Sequence, residues 1–206
     1  MLPYKALCSL GSALVLISTS FIMGVFYSNL AYDYKILFQP GSVTPEDFAR
    51  TLQHYQFLNE VGHPLLYILA FVAFLGLVGH MIRLYKPNED LKLFEYASLG
   101  MFVMGVCVFI TNIKTGIECS LTGNWGEVSE NQGIAVIGSS NIILLCVFFG
   151  VILLQAGLWW ATFDLETRMK QFIAEESAAA AASAKKDQST TSKKGKKSSA
   201  GNKKTN

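Results

Sequence analysis

The sequence predicts an all-α integral membrane protein with four transmembrane helices and a disordered, lysine-rich C-terminal tail. Of its 206 residues, 51% are hydrophobic and only 16% are charged, whereas a soluble domain has about 25% charged residues. The charges are also segregated, because none occurs in the four stretches 6–32, 61–82, 96–113 and 131–163. A bilayer core of about 30 Å needs about 20 apolar helical residues, so each stretch predicts one span.

The membrane domain is predicted over residues 1–163. Backbone groups in lipid must form hydrogen bonds within their own segment, so the spans are helices. The predicted spans cover residues 6–28, 65–82, 96–113 and 139–160. In the first span, Ser20, Gly24 and Ser28 repeat every four residues and form a candidate helix-packing face, since small side chains let helices approach closely. This face would serve either packing within the protein or docking of another protein's helix.

The loop between spans one and two is predicted to hold a short amphipathic helix. Thr44 has the character of an N-cap, Pro45 suits the first helical position, and acidic residues follow in the first turn. Before it, Tyr32–Tyr34 is predicted to be an aromatic anchor at the membrane interface. We expect the helix to cover one end of the bundle, with binding of a partner as the alternative. Its apolar face is predicted to comprise Phe48, Leu52, Tyr55 and Leu58.

The remaining segments are predicted from turn residues and composition. Pro87–Asn88 predicts a turn between spans two and three, and residues 114–133 read as a polar loop with glycine turns. After span four, the helical period of the apolar residues predicts a helical extension over residues 164–184. Residues 185–206 are rich in Lys, Ser, Thr and Gly, cannot bury a core, and are predicted to be a disordered basic tail.

The distribution of basic residues predicts the orientation. Fourteen Lys and Arg residues fall on the side of the N-terminus, the second loop and the tail, against three on the other side. Basic residues accumulate on the cytosolic side, so both termini are expected to be cytosolic. Lys203 and Lys204, fourth and third from the last residue, then predict an ER-retrieval signal read by coatomer. The alternative is a chance doublet in a lysine-rich tail.

The sequence carries no pattern typical of an active site. Its three histidines, at 54, 63 and 80, lack the spacing of a metal site, and we expect neither a metal nor another cofactor. Asn141 and Gln155 in span four are predicted to form hydrogen bonds between helices. The basic tail also has the composition of an RNA-binding segment, but four spans favour contact with anionic lipid. We therefore expect a membrane partner, no nucleic acid and no enzymatic activity.

Several motifs resemble a known family, the fungal endoplasmic-reticulum packaging chaperones for amino acid permeases, fission yeast members included. The most specific stretch runs from Thr111 to Trp125. The residues that carry the resemblance are Tyr32–Tyr34, Leu84–Asn88, Leu93–Tyr96, Thr111–Cys119 and Gly123–Gly126. Within them, the candidate luminal-loop residues are Asn112, Lys114, Gly116, Glu118, Asn124 and Trp125.

The resemblance implies a function that composition alone does not predict. It implies residence in the endoplasmic reticulum and association with newly made amino acid permeases. It also implies contact with the ER export coat, help in folding and packaging, and no catalytic site. The alternative is a small polytopic transporter or channel subunit. Such proteins usually keep charged residues inside the membrane, and the predicted span interiors contain no Asp, Glu, Lys or Arg.

Overall fold

The computed structural model describes residues 4–85 and 91–198, and the surroundings of side chains 6–61, 64–85 and 91–178. The predicted turn at Pro87–Asn88 lies outside these residues. The described residues form helices joined by short connections, with a 3-10 turn at Pro40–Ser42 and a π-helical turn at Phe109–Lys114. The helices are α1 (Tyr4–Phe38), α2 (Pro45–Glu60), α3 (Gly62–Leu84), α4 (Lys92–Val108), α5 (Thr115–Thr122) and α6 (Glu130–Ser198).

Within the described residues, four helical stretches are long and apolar enough to cross a membrane. They are Ala6–Phe38, Pro64–Leu84, Lys92–Thr122 and Glu130–Ala178. Each contains one of the four predicted spans, which confirms the predicted fold class. Each stretch is also longer than the prediction, because the sequence analysis ended the spans near charged or strongly polar residues.

Helix α1 shows why polar and charged residues did not mark the ends of the spans. It continues ten residues beyond the predicted end at 28, through Asn29, Asp33 and Lys35. Asn29 and Asp33 are buried, being 6% and 1% exposed, and both form hydrogen bonds with neighbouring segments. Polar residues with protein partners do not need to reach water, so they do not end the helix. The predicted interfacial anchor at 32–34 is therefore part of α1, with Asp33 facing inward.

Helix α2 begins as predicted. The Thr44 hydroxyl accepts a hydrogen bond from the backbone N–H of Asp47, and the Asp47 carboxylate accepts one from the backbone N–H of Thr44. This reciprocal capping box, with Pro45 at the first helical position, satisfies backbone donors that have no partner within the helix. The Thr51 hydroxyl donates to the Tyr32 carbonyl at 3.1 Å, and the Gln56 amide donates to the Ser120 carbonyl at 2.9 Å. These contacts hold α2 across the ends of α1 and α5.

The third span is irregular at the end nearest α2. Helix α4 passes into the π-helical turn and then into α5, where the sequence analysis predicted a polar loop from residue 114. Ser120 and Thr122 each donate a hydroxyl hydrogen bond to a carbonyl of the preceding turn, so these polar side chains have partners within their own helix. The chain then reverses at Gly123 and Gly126, whose φ angles of 65° and 67° favour glycine. The predicted glycine turns are thus confirmed.

Helices α1 and α3 pack closely through glycine. A Cβ atom built on Gly79 would lie 2.7 Å from the carbonyl oxygen of Gly11, and one built on Gly11 would lie 3.0 Å from the carbonyl oxygen of Gly79. In lipid, apolar surface gives little drive for helix association, so close backbone approach and van der Waals packing matter most. The buried apolar core comprises Val15, Ile22, Phe26, Tyr55, Phe102, Ile113, Ile137, Leu144, Phe148 and Val151.

Two polar clusters, one buried and one partly buried, lie at opposite ends of this core. We call Asp33, Tyr55 and Asn141 the Asp33 layer, and Ser12, Arg83 and Glu95 the Arg83 layer. Ser12 and Asp33 both belong to α1 and are separated by 21 residues, or about 31 Å of helix. This distance matches the thickness of a bilayer core, about 30 Å, so the two layers are spaced as the two edges of a membrane would be.

Contacts divide the chain after Leu158 into two units. The second unit begins at Trp159, whose ring stacks on that of Phe163 with 6.1 Å between the centroids. One turn further, Arg168 pairs with Asp164 at 2.9 Å. Helix α6 continues to Ser198 and so includes residues 185–198 of the predicted basic tail. The strongly helix-favouring alanines lie just before this part of the chain, at 178–182 and 184.

Candidate functional site

The Asp33 layer joins three segments that are far apart in sequence. The Tyr55 hydroxyl of α2 lies 2.8 Å from both carboxylate oxygens of Asp33 on α1. The Asn141 side-chain amide of α6 donates to Asp33 Oδ2 and to the Tyr55 hydroxyl, each at 2.9 Å. All three side chains are at most 1% exposed. Charge-assisted hydrogen bonds of this kind are short and strong when buried, so the cluster fixes α2 on the bundle.

The surroundings of Tyr55 and His54 on α2 favour the neutral form of both side chains. Burial and the neighbouring Asp33 carboxylate raise the pKa of Tyr55, so its hydroxyl keeps the proton that it donates. One residue earlier, His54 Nε2 lies 3.1 Å from Asn29 Oδ1 and the ring stacks on Tyr32. Burial lowers the pKa of His54, which favours its neutral form.

An ion pair holds the start of the same helix. The Lys35 ammonium of α1 lies 2.5 Å from Asp47 Oδ2. This contact, together with the hydrogen bond from the Thr44 backbone, holds the pKa of Asp47 well below its usual range. Helix α2 is therefore bonded to α1 near its beginning as well as at Tyr55.

The Arg83 layer joins three spans at the other end of the core. Arg83 Nε of α3 donates to the two carboxylate oxygens of Glu95 on α4, at 2.7 and 2.9 Å. The guanidinium also contacts the Ser12 hydroxyl of α1. The Arg83 and Glu95 side chains are 16% and 8% exposed. Deeper in the bundle, the Gln155 amide of α6 donates to the Ser98 hydroxyl of α4 at 2.9 Å, which confirms the predicted interhelical role of Gln155.

The candidate packing face on α1 points away from these contacts. Ser20, Gly24 and Ser28 are all exposed, and a Cβ atom built on Gly24 would meet no described atom within 4 Å. The Ser28 hydroxyl donates to the carbonyl of Val25 in its own helix. Helix α1 packs on α3 through the opposite residues, such as Gly11 and Val15. Among the described residues, the face thus does not serve internal packing, which was one of the two alternatives.

The candidate loop residues from 112 to 118 have different surroundings. Asn112 is exposed and its side-chain amide donates to the Ser140 hydroxyl of α6 at 3.2 Å. Lys114 and Glu118 are exposed and form an ion pair at 3.5 Å. A Cβ atom on Gly116 would lie 2.4 Å from the Ile137 side chain, so this glycine allows α5 to approach α6.

Asn124 and Trp125 shape the turn that follows. The Asn124 side chain accepts a hydrogen bond from the Gly126 backbone at 3.3 Å. The Trp125 ring packs so closely on Gly133 of α6 that a Cβ atom there would lie 2.1 Å from it. Trp125 also packs against the apolar core.

The sequence analysis found single members of the two layers but not the layers themselves. Asn141 stood out as a polar residue in a span, and Tyr55 as part of an apolar face. Nothing in one sequence shows that both reach Asp33, because that depends on how three segments lie side by side. Lys203 and Lys204 lie outside the described residues, so the predicted retrieval signal remains a prediction.

Comparison with known proteins identifies the family. A model of the SHR3 chaperones, described as ER membrane protein SH3, matches residues 6–195 of the chain. The chain belongs to the SHR3 chaperone family. The match covers both polar layers and all four spans, and it confirms the resemblance noted in the sequence. SHR3 chaperones are proteins of the ER membrane and are not enzymes.

A curated relative agrees with this assignment. The chain is 27% identical over 143 residues to the secretory component protein psh3 of Schizosaccharomyces pombe. The aligned region covers 69% of this chain and 66% of the relative, so the chain spans just under two thirds of that protein's length. No solved structure matches the chain.

Proposed function

We propose that this protein assists the folding of newly made amino acid permeases in the ER membrane and their packaging into export vesicles. Membership of the SHR3 chaperone family carries the proposal. The similarity to a secretory component protein supports the link with transport. The choice of amino acid permeases as clients rests on the motifs at 32–34 and 111–125, which resemble those of the permease packaging chaperones.

The polar helix faces of a permease explain why it needs a chaperone in the membrane. A permease of many spans has polar helix faces that line its substrate pathway. Before its spans assemble, those faces lie in lipid, where an unpartnered polar group costs several kcal/mol. A resident membrane protein that covers them for a time suppresses aggregation. Packing contacts between helices in lipid are weak enough to be released when the permease completes its own bundle.

The exposed face at Ser20, Gly24 and Ser28 is the candidate contact for a client helix. Small side chains allow another helix to approach the backbone, and the described residues leave Gly24 open. Gly24→Leu should therefore weaken the association with permeases. Gly100→Leu is a matched control, because Gly100 is also exposed with no described atom within 4 Å of a built Cβ atom.

The proposal includes a topology and a division of labour. Both termini are placed in the cytosol, with α2 and α5 on the luminal side, as the distribution of Lys and Arg favours. The spans and luminal segments would assist folding, while the tail would contact export coat components and, through Lys203 and Lys204, coatomer. Truncation after Ala184 should then slow export but still suppress permease aggregation.

Deletion of the gene tests the central proposal. Several fluorescently tagged permeases are followed by microscopy, with unrelated polytopic membrane proteins as controls. We expect the permeases to aggregate in the ER while the controls reach the plasma membrane. The opposite pattern would reject the client assignment. If instead a transport activity were lost while permeases travelled normally, the protein would be a transporter or channel subunit.

A further inference from the structure

An apolar groove opens on the side of the membrane domain between α3 and α4. Its inner surface is formed by Ile22 and Phe26 of α1 and Phe148 of α6, all at most 3% exposed. Its outer edges include Phe74 of α3 and Ile110 of the π-helical turn. Every lining residue is apolar or glycine. The cavity volume is about 270 Å³, larger than the roughly 150 Å³ that holds a benzene ring in a protein core.

The groove lies between the two polar layers and extends from about their midpoint toward the Asp33 layer. Ile22 is ten residues from Ser12 and eleven from Asp33 along α1, or about 15 Å and 17 Å from the two polar layers. Half of a bilayer core is about 15 Å, so Ile22 marks its midplane. Phe26 packs on Phe109 of the third span, with 5.6 Å between ring centroids, which places the α4 wall at a similar depth.

Helix α3, which forms one wall, is the least buried span. Only 17% of its most apolar stretch is buried, against 22%, 28% and 33% for the other three. Tyr67, Phe71 and Phe74 are between 59% and 72% exposed along it. This side of the domain therefore offers both an open concavity and large apolar side chains next to it.

We propose that this groove receives a bulky apolar side chain from the middle of a client transmembrane helix. The inference rests on the proposed function. The uncharged lining complements only an uncharged, apolar occupant, and no water competes at this depth. A phenylalanine, leucine or tryptophan fills space where lipid contributes only loosely ordered chain ends, and the gain is van der Waals contact. Such a site recognises helices by size and depth, independently of polar motifs, and it lies apart from the Ser20, Gly24 and Ser28 face.

Site-specific photo-crosslinking in the full-length protein in ER membranes tests the site. A benzophenone amino acid replaces Phe74 at the groove or, as a control, Phe149 of α6, which is also a span phenylalanine and is exposed to a similar extent (59% and 53%). During pulse labelling, we expect an epitope-tagged amino acid permease to crosslink at least fivefold more to position 74. The adduct should decline during the chase, and replacing the large residues at the centre of the crosslinked client helix with alanine should abolish it.

Groove filling gives a second, independent measurement. Ala73 lines the groove, and Ala73→Phe should lower permease association severalfold, whereas Ala156→Phe on the exposed surface of α6 should not. Ile110→Trp fills the groove from the opposite wall if Ala73→Phe fails to fold. The crosslinking experiment does not depend on either variant.

Each other outcome overturns the proposal. Crosslinks from position 74 only to lipid would show that acyl chain ends occupy the groove. Crosslinks only to a second copy of this chain would show a dimer interface. Permease crosslinks at position 149 but not at 74 would reject the groove and leave the chaperone function intact. Permeases that reach the plasma membrane normally without this protein would reject the proposed function itself.

Discussion

The hydroxyl of Tyr55 is the central atom of the Asp33 layer, and its removal should destabilise the protein measurably. Tyr55→Phe keeps the ring but deletes the donor to Asp33 at 2.8 Å and the acceptor for Asn141 at 2.9 Å. A hydrogen bond to a charged group contributes about 1.5–3 kcal/mol, whereas bonds between helices in membrane proteins average about 0.6 and reach about 1.7 kcal/mol. Because the site is buried and the acceptor is charged, we expect a loss of about 2 kcal/mol.

A double-mutant cycle separates this interaction from lost packing. Asp33→Asn removes the charge, so Tyr55→Phe should cost less in that background, with a coupling free energy of about 1 kcal/mol. Unfolding in mixed micelles by sodium dodecyl sulfate, followed by circular dichroism, gives the free energies. Tyr34→Phe is the matched control, since Tyr34 lies next to Asp33 on α1 and is 50% exposed. A Tyr55→Phe effect no larger than the control, or additive effects in the cycle, would refute the reasoning.

Three further predictions concern other parts of the chain. Gly79→Ala places a methyl group 2.7 Å from a carbonyl oxygen of α1 and should cost about 1–3 kcal/mol, whereas Gly100→Ala should not destabilise in the same unfolding assay. Because burial lowers the pKa of His54, the unfolded chain takes up a proton first as the pH falls through about 6.5. Stability should therefore decrease from pH 7 to pH 5, and melting curves of His54→Gln should show a weaker decrease. Replacing Lys203 and Lys204 with Ser should let part of the protein reach the Golgi by microscopy; complete ER retention on overexpression would show that the doublet is not the signal.

The four spans were predictable because lipid imposes a simple rule on sequence. About 20 uncharged residues are required to cross the apolar core, and this pattern is visible without knowledge of neighbours. The start of α2 was equally predictable, since Thr44 and Pro45 act within their own turn. The lengths of α1 and α5 were not, because Asp33 and the Ser120 carbonyl form hydrogen bonds with α2, which a local sequence pattern does not contain.

The polar layers could not be predicted for a related reason. Each depends on the axial alignment of helices that are distant in sequence, such as α1 with α6 through Asp33 and Asn141, 108 residues apart. A shift of one helical residue rotates a side chain by about 100° and would remove the contact. Composition indicates which residues are polar, but only the packed bundle determines which of them meet.

The separation of the two polar layers has a mechanical consequence. A helix that slid past its neighbour by one turn would move about 5.4 Å, far more than a hydrogen bond tolerates. Sliding of α1 would leave the buried Asp33 carboxylate without its donors and would separate Ser12 from Arg83, and sliding of α3 past α4 would separate Arg83 from Glu95. Sliding of α1 against its partners is therefore blocked at both polar layers. We expect a stiff scaffold that meets clients of many shapes with an unchanging surface, so that the conformational adjustment occurs in the incompletely folded client.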